Sequence, residues 1–201
     1  MKRITLALTG ASGISYGLRL LECLLGAGCQ VDLLISQAAR IVARQELDLS
    51  LPAGNAELVA YFDARFGGHP GVLHAYGKEE WFAPAASGSN PAAAMVVCPC
   101  TMGTLAAIAQ GLADNLIERA ADVMLKEKRP LILVPRETPF SLIHLRNMTA
   151  LAEAGATILA ANPGFYHRPE SVQQVVDFIV ARVLDHLAVP HALLARWGAD
   201  G

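Results

Sequence analysis

The segment ITLALTGASG, residues 4–13, decides the fold of this chain. It begins as an apolar run and ends in a turn that contains two glycines. Residues 15–25 follow, with apolar side chains at helical spacing. A buried strand, a glycine turn and a helix in this order are typical of the first unit of a parallel sheet that is covered by helices. The same order is repeated along the chain.

Apolar runs bounded by turn residues alternate with segments of helical period. The predicted strands are residues 4–9, 31–36, 72–76, 94–98, 131–135 and 157–161. The predicted helices are residues 15–25, 37–47, 56–66, 103–110, 116–128, 141–154 and 171–187. Most of the strands are apolar throughout, as strands buried on both faces must be. The pattern predicts an open, doubly wound, mostly parallel α/β sheet of the Rossmann or flavodoxin type.

Length and composition favour a single domain. The chain has 201 residues, 53% of them hydrophobic, and no flexible linker or charge run divides it. We assign residues 1–190 to the α/β domain and residues 191–201 to a C-terminal tail. The tail contains Trp197, which we expect either to contribute to a functional site or subunit interface, or simply to cap the core.

The charge balance excludes two classes of partner. Sixteen basic and eighteen acidic side chains give a net charge of −2, without the clustered cations that nucleic acid or an anionic membrane requires. No apolar run reaches the ~18–20 residues needed to cross a bilayer. The apolar run after Met1-Lys2-Arg3 is too short for a signal peptide. We therefore expect a cytoplasmic protein.

The cysteines favour free thiols over a metal site. Cys98 and Cys100 are separated by one residue, and no His or Cys cluster accompanies them or the other pair, Cys23 and Cys29. A structural zinc site would need four convergent ligands. The chain also lacks the Asp-Asp-x-x-Asp pattern that holds magnesium on diphosphates. We expect no metal.

Ligands of a doubly wound sheet bind beyond the carboxyl ends of its strands. The turn Gly10-Ala11-Ser12-Gly13 follows the first strand, and its N–H groups at a helix start could cradle a phosphate. The glycines could also serve the tight turn alone. Ser36 ends the second strand where NAD enzymes carry an acid for the ribose, so a mononucleotide fits better than a dinucleotide.

Two further strand ends carry polar groups. Residues 98–104 include two threonines and a glycine, which could bind a polar ring edge or a phosphate. The alternative is that Thr101 only caps a helix. Arg136-Glu137 lies between two prolines after a buried strand, where a charged pair is a candidate for a site.

Three helical cations remain open to two interpretations. Arg119 and Lys126 lie seven residues apart on one helix and point the same way. With Glu118 and Asp122 nearby, they also fit an ordinary solvated face. Arg182 stands at the edge of an apolar helix face, either as a ligand or as an ion-pairing residue whose stem packs on that face.

The motifs, taken in order, resemble those of the UbiX-type flavin prenyltransferases over essentially the whole chain. They are TGASG at 9–13, Glu46, PAASGS at 84–89, CPC at 98–100, NLIERAADVMLKE at 115–127, PLILVPRE at 130–137, PGFYHRP at 163–169, Arg182 and RWG at 196–198. One departure is Thr101, because many relatives have serine there. The hydroxyl is retained.

The resemblance implies a cofactor site, a substrate site and a catalytic set. FMN would bind through Gly10, Ala11, Ser12, Ser36, Thr101, Met102, Gly103, Thr104 and Arg136. The phosphate of dimethylallyl monophosphate would meet Lys126, Glu137, Tyr166 and Arg182. The other two substrate-binding residues would be Arg119, close to the phosphate, and Ser87, in the segment over the site. The catalytic residues would be Ser12, Glu46, Glu137, Tyr166 and Trp197. Ser12 and Glu46 would flank the reacting flavin edge, with Trp197 near the flavin and the prenyl group.

The implied reaction alkylates N5 of reduced FMN and closes a ring onto C6, without a metal. The product, prenylated FMN, would serve UbiD-type decarboxylases, in relatives for ubiquinone biosynthesis. Several subunits of a homo-oligomer, in the family commonly a dodecamer, would share each site. The alternatives are an FMN-dependent decarboxylase of peptidyl cysteine and a non-catalytic FMN carrier. The first would need an early catalytic histidine and a P-x-M-N-x-x-M-W motif, which the sequence lacks.

Overall fold

Six parallel strands and seven helices make up residues 1–194, the part of the chain that the computed structural model describes. The strands are β1 (Arg3–Leu8), β2 (Gln30–Ile35), β3 (Val72–Tyr76), β4 (Ala94–Cys100), β5 (Leu131–Pro135) and β6 (Thr157–Ile158). The helices are α1 (Ile14–Gly26), α2 (Gln37–Leu47), α3 (Asn55–Arg65), α4 (Met102–Ala109), α5 (Leu116–Lys126), α6 (Leu142–Glu153) and α7 (Val172–His186). A short 3-10 helix, Pro84–Ala86, precedes β4.

The strand order reverses at the centre of the sheet. The order is β3-β2-β1-β4-β5-β6, so the chain leaves β1 toward one side and returns at β4 to build the other. β1 pairs with both neighbours, with Leu8 opposite Ile35 and Ala7 opposite Val97. Connections that diverge from two adjacent strands leave a crevice between their carboxyl ends. The crevice here lies beyond β1 and β4.

Two apolar cores cover the two faces of the sheet, because alternate side chains of a strand point to opposite sides. Ile4, Leu6 and Leu8 pack in one core with residues of α1, α2, α3 and α7. Ala7 and Val97 pack in the other core with residues of α4, α5 and α6. The predicted fold class, with helices on both faces, is confirmed.

The element bounds agree with the sequence predictions to within two residues, except at β6. β4 continues to Cys100, past the predicted end at residue 98, because Cys100 still pairs with Pro135 of β5. β6 ends at Ile158, whereas the prediction extended it to residue 161. The N–H of Ala161 still donates to β5, but the chain then turns at Asn162. The 3-10 helix was not predicted.

The two ends of the parallel strands form two distinct edges of the sheet. The carboxyl edge carries the turns that follow the strands, and the amino edge lies where the strands begin. β1 has six residues, and at ~3.3 Å per residue it separates the two edges by about 20 Å. Within residues 1–194, no helix is long and apolar enough to cross a membrane. The division between residues 1–190 and 191–201 stays a prediction, and Trp197 lies outside the described residues.

Candidate active site

Two turns meet at the carboxyl edge where the strand order reverses. The first turn, residues 9–13, follows β1, and the second turn, residues 101–104, follows β4. Thr9 bridges them: its Oγ1 donates to the carbonyl of Pro99 at 2.8 Å and accepts from the N–H of Thr101 at 2.8 Å. The sequence analysis did not select Thr9. The sequence offered one signal for Thr9, a hydroxyl side chain at the last position of a strand that was predicted to be buried.

The first turn requires glycine at two positions. A Cβ on Gly10 would lie 2.3 Å from the Cβ of Ala38, so α2 approaches the turn too closely for a side chain. Gly13 has φ of 98°, a left-handed conformation that favours glycine. The turn is therefore packed tightly between β1 and the start of α2.

The start of α1 is capped by the carboxylate of Glu46. The N–H of Gly13 donates to both carboxylate oxygens at 3.0 and 3.1 Å, and that of Ile14 donates to Oε2 at 3.2 Å. A carboxylate stabilises the positive end of the helix dipole. These two N–H groups are thus unavailable to a phosphate, which corrects the expectation that the whole start of α1 forms a phosphate cradle. The N–H groups of Ala11 and Ser12 donate to no acceptor among the residues described.

Both other helix starts near the turns are capped by hydroxyls. Ser36 accepts from the N–H of Ala39 at 3.1 Å at the start of α2. Thr101 accepts from the N–H of Thr104 at 3.1 Å at the start of α4 and donates to the hydroxyl of Thr104 at 3.0 Å. The capping alternative for Thr101 is therefore observed. It leaves the remaining N–H groups of both helix starts directed toward the carboxyl edge.

Arg136 presents an unsatisfied donor at this edge. It follows β5, and its Nε is buried and has no acceptor within residues 1–194. A buried donor without a partner is costly, so such groups usually meet a ligand or water. An oxygen of FMN would satisfy it. In Glu137, the next residue, Oε1 accepts from the N–H of Thr138 at 3.1 Å and the carbonyl accepts from the hydroxyl of Thr138 at 2.8 Å.

Three of the predicted substrate residues lie along α5 and the segment beside it. The Nε of Arg119 donates to the carbonyl of Ala86 at 3.0 Å. A Cβ on Gly88 would lie 2.8 Å from Nζ of Lys126, so Ser87 and Lys126 are close in space. Lys126 ends α5 shortly before β5 begins and therefore lies at the amino edge. Ser87 and Lys126 are about a strand length from the two turns of the same chain.

The other substrate residues lie on different elements. Tyr166 is in the loop before α7 and makes an edge contact with Phe178, with ring centres 6.1 Å apart. Arg182 is one helical turn beyond Phe178 and pairs with Asp185 at 2.7 Å. α7 and α5 cover opposite faces of the sheet. A single chain does not bring Arg182 and Lys126 together.

The cysteines are four free thiols. Burial raises the pKa of the Cys100 thiol to about 12 and that of Cys98 even further above its usual range. These two thiols are therefore protonated at neutral pH and poor nucleophiles. Among the residues described, no three His, Cys, Asp or Glu side chains converge in a way that could hold a metal ion.

The reversal of strand order and the turns beside it form the kind of crevice in which doubly wound α/β proteins bind nucleotides. The Flavoprotein family model matches residues 1–184. The flavin prenyltransferase UbiX of Pseudomonas aeruginosa is 55% identical over 197 residues, covering 98% of this chain and 94% of that protein. The chain therefore belongs to the UbiX flavin prenyltransferase family, as the motifs implied.

Solved structures agree with this assignment. AnUbiX (PadA1), crystallised with FMN and dimethylallyl pyrophosphate, has a TM-score of 0.87 and 37% identity, with 98% of each chain covered. A dodecameric FMN-dependent UbiX-like decarboxylase from Escherichia coli O157:H7 has a TM-score of 0.85 and 37% identity, covering 98% of this chain and 100% of that chain.

The cap on α1 yields a stability prediction. Replacing Glu46 with alanine leaves two N–H groups without their acceptor, and we expect the free energy of unfolding to fall by about 1–2 kcal/mol. Glu46→Gln keeps a neutral acceptor and should lose about half as much. Urea titration at a fixed protein concentration measures both.

The matched control is Glu153→Ala, because Glu153 is an exposed helical glutamate far from the turns. We expect it to change stability by less than about 0.5 kcal/mol. Equal effects of Glu46→Ala and Glu153→Ala would show that the cap contributes nothing.

Proposed function

We propose that this chain is a flavin prenyltransferase that transfers a dimethylallyl group from dimethylallyl monophosphate to N5 and C6 of reduced FMN. The observation that carries the proposal is the buried, unsatisfied Nε of Arg136 at the edge where the two turns meet. The relative crystallised with FMN and dimethylallyl pyrophosphate supports FMN and a dimethylallyl phosphate ester as the ligands.

The position of Glu46 supports one orientation of FMN. A carboxylate repels a phosphate, and Glu46 occupies the start of α1. We therefore infer that the FMN phosphate lies toward the starts of α2 and α4, near Ser36 and Thr101. The reacting edge of the flavin then lies toward Ser12 and Glu46. The free N–H groups of Ala11 and Ser12 would donate to its oxygens.

The chemistry needs charge stabilisation at the leaving phosphate. Reduced FMN, when bound, supplies the nucleophilic positions that form bonds to the prenyl carbons. The allylic C–O bond breaks, and its electron pair leaves with the phosphate. Fixed cations stabilise that developing charge because they need no reorganisation. The stabilising positive charge would come from Lys126, Arg182 and Arg119. The candidate proton donors are Tyr166 and Glu137. Trp197 would shield the allylic cation from water.

The cations are held in place by neighbouring carboxylates. Nζ of Lys126 lies 2.7 Å from Oε1 of Glu127. Arg182 and Arg119 each pair with an aspartate three residues later, at the same distance. Because these pairs are partly exposed, they are weak and can exchange one acceptor for a substrate phosphate. The observed ion pairs agree with the solvated-face and ion-pair interpretations, and we propose that the substrate phosphate replaces one acceptor when it binds.

The site requires more than one copy of the chain. Ser87 and Lys126 lie at the amino edge, about 20 Å from the turns at the carboxyl edge. A second copy could place its amino edge over the carboxyl edge of the first. The following large apolar side chains are exposed and suit subunit contacts: Trp81, Phe82, Leu142, Ile143, Leu145 and Phe165. We propose a homo-oligomer, and the dodecameric relative supports twelve copies.

The product has to be used elsewhere. Prenylated FMN would pass to a UbiD-type decarboxylase, in a pathway related to ubiquinone. The four free thiols favour a reducing compartment, and we propose the cytoplasm.

An anaerobic assay tests the activity. The chain is mixed with reduced FMN and dimethylallyl monophosphate, and the released flavin is analysed by mass spectrometry. We expect the flavin mass to increase by one C5H8 unit, at the same rate in excess EDTA, because side-chain cations stabilise the leaving phosphate. Unmodified flavin would favour a non-catalytic carrier. Loss of activity in EDTA that magnesium restores would contradict the metal-independent mechanism.

Arg182 separates the substrate role from a purely structural one. Arg182→Ala should slow single-turnover alkylation ~30–1,000-fold, since a charge-assisted contact that strengthens in the transition state contributes roughly 2–4 kcal/mol. The free energy of unfolding should fall by only about 0–1 kcal/mol, because the pair with Asp185 is half exposed. FMN affinity should be unchanged.

Arg65→Ala is the control, because Arg65 is another exposed helical arginine outside the assigned site. Near-normal alkylation by Arg182→Ala, or loss of FMN binding in parallel with activity, would remove Arg182 from the substrate site.

A further inference from the structure

We propose that Thr9 is a positioning residue whose hydroxyl sets the spacing between the two turns that hold FMN. This inference rests on the proposed function, because it assumes that FMN binds between the first and second turns. Thr9 is not among the residues that the family resemblance assigned to the site. Its geometry alone carries the argument.

The regular pairing of β1 with β4 ends before the crevice. The last paired residues are Ala7 and Val97. The register of β4 with β5 then shifts between Val97 and Cys100. Pro99 lies within this irregular stretch and has no N–H to donate to β1. Regular strand pairing therefore stops short of the two turns, and the N–H of Thr9 continues it with one backbone hydrogen bond to Pro99.

The hydroxyl of Thr9 replaces the missing pairing. It donates to the carbonyl of Pro99 and accepts from the N–H of Thr101, both at 2.8 Å. The N–H of Thr9 also donates to the Pro99 carbonyl, at 3.2 Å. One residue thus makes three hydrogen bonds across the crevice. Two of them depend on the side chain, which is buried, with only 1% of the residue exposed.

These hydrogen bonds connect the FMN-binding residues proposed in the first turn with those proposed in the second turn. Thr9 begins the first turn, and Gly10 directly follows it. Thr101, held through its N–H, caps α4 and fixes the N–H of Thr104. A shift of Thr101 would therefore move the whole second turn. Because hydrogen bonds weaken steeply with distance and angle, a small change in spacing would weaken contacts to a rigid flavin on both sides.

The decisive pair of variants is Thr9→Val and Thr9→Ser. Valine keeps the shape and removes the hydroxyl, whereas serine keeps the hydroxyl and removes the methyl group. We expect Thr9→Val to raise the Kd for FMN roughly 10–100-fold, because the Thr101 N–H loses its acceptor. Thr9→Ser should bind within about 3-fold of the wild type, since both hydrogen bonds remain. Titration is followed by flavin fluorescence well below each melting temperature.

Thr5→Val is the matched control, because Thr5 is equally buried in β1 but lies near the amino edge. It should lower the melting temperature at most, without changing the Kd for FMN. Wild-type affinity in Thr9→Val, or equal losses in Thr9→Val and Thr5→Val, would overturn the positioning role. Failure of the wild type itself to bind FMN would instead overturn the proposed function.

If Thr9→Val does not fold, Thr9→Cys and Thr9→Ser replace the pair. Cysteine and serine have similar shapes, but a thiol is a weaker hydrogen-bond donor and acceptor than a hydroxyl. Weaker FMN binding by the cysteine variant supports the proposal, and equal binding by the two variants contradicts it.

Discussion

The functional architecture depends on the reversal of strand order between β1 and β4. These two strands are adjacent, but the chain leaves them in opposite directions. The helices that follow therefore pack on opposite faces, and nothing regular fills the space beyond the strand ends. Every group that we assign to FMN comes from the strand ends beside this space. The turns are shaped by close packing, as at Gly10, and by side chains that satisfy the helix starts, as Glu46 does.

The two edges of the sheet divide the chemistry between copies of the chain. The carboxyl edge offers hydrogen-bond donors and one unsatisfied arginine, which suit a flavin. The amino edge offers Ser87 and Lys126, which suit a phosphate but lie too far away to act on the same flavin. In this account, assembly brings the leaving phosphate of one substrate to the cations of a neighbouring copy. It also excludes water from the allylic cation, as the reaction requires.

The sequence was sufficient to predict the fold class and most element bounds, because buried parallel strands and their helices leave clear periodic patterns. It also located the two turns, since both follow predicted strands at the carboxyl end of a doubly wound sheet, where ligands bind. It did not predict that Glu46 caps α1, because the two are 32 residues apart and only the path of α2 brings them together. It missed Thr9 for the same reason. The distance between Lys126 and the two turns likewise follows from the direction in which α5 runs, and no sequence motif indicates that direction.

Hydrogen exchange of the full-length chain with and without FMN tests the central claim, that FMN binds between the first and second turns. The N–H groups of Ala11 and Ser12 donate to no acceptor within the described residues, so they should exchange rapidly in the free protein. With saturating FMN, we expect slowed exchange in peptides that cover residues 9–14 and 101–105. Slowed exchange confined to the amino edge, around Lys126 to Pro130, with no change in the turns, would contradict it.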